Sequence, residues 1–145
     1  MHARYAARAA MLLGLAAAVA GCSAQGMSTT SAHTYDQLQR ALMDGKRVFA
    51  AFDFDRCHAE GSPTLNIQAG LPVHEFMIRN DRIAFSLTHS TVEAMNDVVF
   101  EFIRYTVELN GMVSVSAYTW KPGERQAELT TSISCQLDNG VTFTW

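Results

Sequence analysis

The side chains able to do chemistry are few and scattered. His58, His74 and His89 are the histidines of the central part of the chain. A hairpin turning at Asn80-Asp81 would pair Ile78 with Ile83, Phe76 with Phe85, His74 with Leu87 and Pro72 with His89. His74 and His89 then become diagonal neighbours on one face, close enough to share a metal ion or a substrate, with His58 joining from a loop. That is the pattern of a weak metal or proton-transfer site. The same spacing equally suits two half-buried histidines at the open end of a hairpin.

Asp53 and Asp55 alternate on one strand face, with Glu60 beyond. Paired carboxylates can serve acid–base chemistry or hold calcium, and they also make an ordinary solvated strand face. Glu101 and Arg104 stand three apart. There the apolar phase slips from Val98, Phe100 and Phe102 to Ile103, Tyr105 and Val107. A bulge near Phe102 or Ile103 would explain the slip and turn Arg104 inward, to pair with Glu101 or Glu75 or to bind an anion. The sequence contains no GxSxG, HExxH, P-loop or GxGxxG pattern. No cofactor is expected. Catalytic candidates are limited to His74, His89, Glu101 and Arg104, and metal candidates to His58, His74 and His89.

Three cysteines have separate meanings. Cys22 closes Val19-Ala20-Gly21-Cys22, an aliphatic residue and two small ones before a cysteine. Ahead of it lie His2, Arg4 and Arg8, then the uncharged run of residues 9–20, well short of the ~20 residues a membrane span needs. This is the layout of a lipoprotein signal peptide over residues 1–21, with Cys22 acylated. Two or three acyl chains anchor firmly, at about 0.8 kcal/mol per buried methylene. Ser23, in place of an aspartate, favours the outer membrane. Removing the signal leaves nine Lys+Arg against fourteen Asp+Glu, a net charge of −5 with neutral histidines. Nucleic acid is excluded as a partner on that charge and on the lack of any basic cluster. Cys57 and Cys135 remain as a pair that an oxidising envelope would join in a disulfide.

The elements that must position these groups follow from periodicity. Residues 22–33 are small and polar, a flexible tether. Thr34 and Gln37 stand at capping-box spacing, Leu38, Ala41 and Leu42 form an apolar stripe, and Gly45 ends a helix of about ten residues. Strands follow, with Val48, Ala50, Phe52 and Phe54 facing one way, then residues 71–78, 82–89, 98–109, 112–120, 126–137 and 141–145. Asn110-Gly111, Lys121-Pro122-Gly123-Glu124 and Asp138-Asn139-Gly140 make the turns. The expected domain, residues 34–145, is α+β: one N-terminal helix on a curved antiparallel meander of six or seven strands, a bent sheet or incomplete barrel.

Tyr35-Asp36-Gln37-Leu38, Gly45-Lys46-Arg47-Val48, residues 53–57, residues 83–89, Glu101, Arg104-Tyr105 and Cys135 occur in an order and spacing that resembles the VirK family of small, exported, virulence-associated bacterial proteins. The resemblance covers about 110 residues and implies no catalytic residues. A lipobox is not part of that pattern. The expectation is an envelope lipoprotein, held in the membrane by its acyl chains, that binds a protein or small-molecule ligand in virulence or host association. The alternative is a metal-dependent or hydrolase-like enzyme built on His74 and His89 with a nearby carboxylate.

Overall fold

The computed structural model describes residues 29–59, 66–92 and 98–145. The signal segment, Cys22 and Glu60 lie outside them. The order is β1 (Ser31–Ala32), α1 (Tyr35–Met43), β2 (Val48–Asp53), a 3-10 turn (Phe54–Arg56), β3 (His58–Ala59), β4 (Gln68–Val73), β5 (Met77–Arg79), β6 (Arg82–Val92), β7 (Val98–Glu108), β8 (Met112–Trp120), β9 (Glu128–Leu137) and β10 (Gly140–Thr144).

Helix α1 begins as its sequence dictates. Thr34 is extended and its side chain accepts from the Gln37 amide, while the Gln37 side chain accepts from the His33 amide at 2.7 Å. The helix ends where Gly45 takes φ +70° and the Lys46 amide reaches back to the Ala41 carbonyl at 3.0 Å. Tyr35, Leu38, Ala41 and Leu42 are buried, so the predicted stripe is the packed face. The helix is not the first element. Ser31–Ala32, expected as tether, pair with Thr144 and Phe143 of β10, because the edge of β10 is open there and Ala32 is fully buried against it.

The sheet is a curled half-barrel in the order β4-β2-β10-β9-β8-β7-β6-β5, with β1 and β3 attached off this path. Eight strands on the main path, and ten in all, replace the expected six or seven. It is a simple meander only from β5 to β9. There β10 wedges between β9 and β2, parallel to β9 and antiparallel to β2. The inner face carries Val48, Ala50, Phe52, Ile83, Phe85, Tyr105, Val107, Val113, Val115, Ile133, Cys135 and Leu137. Phe52 of β2 meets Tyr105 of β7 at 5.1 Å between ring centroids, and Tyr105 stacks on Phe85 at 4.9 Å. Since β2 and β7 lie four strands apart on the path, that contact requires a sheet rolled back on itself.

Two expectations about strand phase are corrected. Strand β7 contains no bulge, for its register with β6 and β8 is unbroken. Its even positions, Val98, Phe100 and Phe102, are apolar because they form a patch on the outer face; the inner phase runs through Val99, Ile103, Tyr105 and Val107. The irregularity lies in β9, opposite Ala117 and Tyr118, where Thr130 is the extra residue. The long strand expected over residues 71–78 divides in two. β4 pairs with β2, and only Met77–Arg79 pair with β6 across the Asn80-Asp81 turn, both of whose residues have positive φ.

Cys57 and Cys135 form a disulfide, bridging 78 positions of sequence. It ties the segment after the 3-10 turn to the inner face of β9. Gly140 packs against it.

Candidate functional site

The division of β4 from β5 decides the fate of the histidines. Pairing in the Asn80-Asp81 hairpin includes Ile78 with Ile83, as expected, but stops at Met77 with Ala84. His74 therefore never comes to lie opposite Leu87. It is exposed, in a recess with Leu42, Arg47, Phe49 and Phe76 at the helix end. His89 sits on the inner phase of β6, beyond the core, opposite Glu101 of β7, and its Nε2 contacts the Glu101 carboxylate. Both side chains are partly exposed. His58 pairs with Ser134 of β9, whose side lies on the outer face. The three histidines thus occupy three places. Among the described residues no three His, Cys, Asp or Glu side chains gather as a metal site.

The carboxylates are likewise separated. Asp53 ends β2 and pairs with Arg56 at 3.1 Å. Asp55 is in the 3-10 turn and accepts from the Asn66 amide at 2.6 Å, fixing a residue with φ +44°. Both fasten the local chain. Arg104 does not turn inward to Glu101. It lies on the outer phase of β7, opposite Ser86 and Ser116, in a recess with Met77, Arg79 and Arg82.

What the structure brings together is different: a bare strand edge between two lined faces. β5 covers β6 only through residues 82–84. On that side residues 85–92, Phe-Ser-Leu-Thr-His-Ser-Thr-Val, have no strand beside them among the described residues. From Ser86 onward every residue is exposed. On the outer face, β6 residues Thr88, Ser90 and Val92 stand opposite Phe102, Phe100 and Val98. Phe102 also opposes Tyr118, which opposes Leu129, and Phe100 packs on Trp120 with centroids 5.5 Å apart. Phe102 is 40% exposed, Leu129 53% and Val92 60%, so this patch is offered to solvent rather than buried. On the inner face the same edge presents Leu87 and the His89–Glu101 pair.

Edge strands of monomeric proteins usually carry charges, proline or a bulge that prevent a further strand from adding. β4, the opposite edge of the sheet, has Pro72. Residues 85–92 have neither proline, glycine nor an acidic, lysine or arginine side chain. That run was a signal readable in the sequence. Its lack of a neighbouring strand among the described residues was not.

Comparison with known proteins agrees with this architecture. The family described as VirK protein matches residues 31–125, beginning at β1. A protein from the pinF2 3′ region of Rhizobium radiobacter is 25% identical over 114 residues, covering 76% of this chain and 79% of its own. The y4wH protein of Sinorhizobium fredii is 26% identical over 114 residues, with the same coverage. The crystal structure of a VirK family protein from Legionella pneumophila superimposes with a TM-score of 0.68 at 17% identity, covering 78% of this chain and 97% of that one, and shares the fold. With most of its folded residues matched by the family pattern, the chain belongs to the VirK family.

Proposed function

We propose that this protein is a lipid-anchored binding module of the bacterial envelope, and that it docks an extended segment of a partner protein along the free edge of β6. The observation that carries the reading is the run of residues 85–92, which among the described residues has no strand beside it and which holds no acidic, lysine or arginine side chain. A strand laid beside it gains main-chain hydrogen bonds, and its alternate side chains supply specificity. On the outer side they extend the Phe100–Phe102–Val98 patch, so the partner segment carries apolar side chains at every second position. On the inner side they meet Leu87, then Glu101, which favours a basic residue. Val19-Ala20-Gly21-Cys22 supports acylation at Cys22, Ser23 supports an outer-membrane address, and VirK membership supports a role in virulence or host association.

Selection of random displayed heptapeptides, followed by hydrogen exchange of the best binder's complex, tests the docking. Protection confined to residues 85–92, lost with Ser90→Lys at unchanged melting temperature, is the expected result. Failure to select any peptide, or protection elsewhere, overturns it. The anchor is tested separately by the intact mass of membrane-extracted protein: acyl chains on wild type and none on Cys22→Ser.

A further inference from the structure

Around the Asn80-Asp81 hairpin, on the outer face, positive charge is concentrated in a domain that is acidic as a whole. Arg79 and Arg82 are direct cross-strand partners. Like charges placed opposite each other destabilise a sheet unless something negative lies between them. Glu108 meets Arg82 at 3.2 Å. Arg79 and Arg104 have no carboxylate partner among the described residues.

The register sets these charges around a hollow. Arg82 stands opposite Glu108, and Arg104 opposite Ser86. The two arginine rows are therefore four residues apart, about 13 Å along the strands. Between them runs a row of Ala84 and Thr106, too small to fill the space, with Met77 as a wall. The resulting recess is about 350 Å³. Guanidinium groups reaching in from both rows can clamp a phosphate by paired N–H donors.

A second recess, of about 320 Å³, shares Met77, Ala84 and Arg104 and continues to Phe76 and Phe85. It opens where β5 leaves β6. Met77 is 59% exposed and Phe76 37%. Large apolar side chains beside unpaired arginines give the hollow a charged end and an apolar end. Glu75 lines the apolar end and repels an anionic headgroup from it, which directs the headgroup to the arginines.

We infer that the two recesses together bind a single-chain amphiphile with a phosphate headgroup, the phosphate held between Arg104 and the Arg79–Arg82 pair and the alkyl chain lying along Met77 and Phe76. The apolar end of the site adjoins the β6 edge at Phe85 and Ser86, whereas its headgroup end, at Arg79, Arg82 and Arg104, lies off that edge.

Octyl phosphate, inorganic phosphate and 1-octanol, each below any micelle-forming concentration, are titrated into the 15N-labelled protein. The expected result is saturable shifts of the Met77, Ala84, Arg104 and Thr106 amides, with octyl phosphate acting at concentrations about tenfold below either of the others. Arg104→Gln weakens octyl phosphate about tenfold and leaves octanol unchanged; Arg79→Gln does the same and serves if the first variant melts early. Octanol matching octyl phosphate overturns the headgroup contact. Inorganic phosphate matching it overturns the apolar one. Shifts centred on Phe100, Phe102 and Trp120 overturn the location.

Discussion

Single residues carry constraints out of proportion to their size. Gly140 has φ +102°, and a Cβ there would stand 2.6 Å from the Cys57 sulfur and 3.4 Å from the Arg56 carbonyl oxygen. Gly140→Ala therefore meets both backbone strain and a disulfide with no room to move. It should cost about 2 kcal/mol or more, read as a lower denaturant midpoint at unchanged slope. Burial holds the Tyr105 hydroxyl above its ordinary 10.0, and burial, then Asp81 and Asp36, raises Tyr35 in the same direction. A tyrosine raised in the folded state ionises first in the unfolded chain. Its contribution is thus complete below pH 10 and is lost as pH rises through the folded value. The double variant Tyr35→Phe/Tyr105→Phe should show a flatter loss of stability above pH 10 in denaturant titrations at stepped pH. An equally steep loss would place the alkaline sensitivity elsewhere. The His89–Glu101 pair is partly exposed, and its contact is one the sequence did not foresee. Glu101 and His89 were each singled out as candidate polar residues, but their pairing follows from a β6–β7 register that no local pattern states.

At the scale of elements, the helix and the hairpin turns were legible because local chemistry specifies them. Thr34, Gln37 and Gly45 delimit α1 by hydrogen bonds and φ preference within a few residues. Asn80-Asp81 and the Asn110-Gly111 region reverse the chain because their residues tolerate positive φ, although the second adopts a three-residue loop with Gly111 at φ +80°. The phase of β7 was misleading because both of its faces are apolar: one meets the core, the other forms the Phe100–Phe102–Trp120 patch. This patch gives a direct expectation. Phe102→Ser with Leu129→Ser removes exposed apolar surface and no core contact. Stability should change by less than about 1 kcal/mol, while aggregation on concentration, followed by light scattering, should fall. A large loss of stability would mean the patch is part of the core.

The whole molecule is a rolled sheet with one disulfide, which fastens the segment between the 3-10 turn and β3 to β9, in the middle of the strand path. The Cys57–Cys135 link closes 78 residues of sequence, and such a loop contributes about 4 kcal/mol in the chain-entropy description. Reduction, or Cys57→Ser with Cys135→Ser, should lower unfolding free energy by about 2–5 kcal/mol without altering the folded far-ultraviolet spectrum at low temperature. An unchanged midpoint would show that the unfolded state is already constrained in that region. The roll brings β2 against β7, which sets Phe52 on Tyr105. β4 pairs with β2 rather than β6, and among the described residues no strand lies beside residues 85–92 of β6.

The sequence by itself determined the helix and its caps, the alternation of β2, the turn sites, the cysteine pair and the family. Each of these depends on residues near one another in the chain, or on residue types whose order is enough to recognise. Tertiary structure alone decided the pairings that no hairpin turn specifies. The insertion of β10 between β9 and β2, and the transfer of β4 from β6 to β2, separate His74 from His89. They also leave residues 85–92 without a strand beside them among the described residues, while the β5–β6 and β6–β7 registers gather Arg79, Arg82 and Arg104 round one hollow. Strand pairing is chosen by burial summed over the whole sheet, since a half-buried strand of six residues satisfies its own alternation equally well beside either partner.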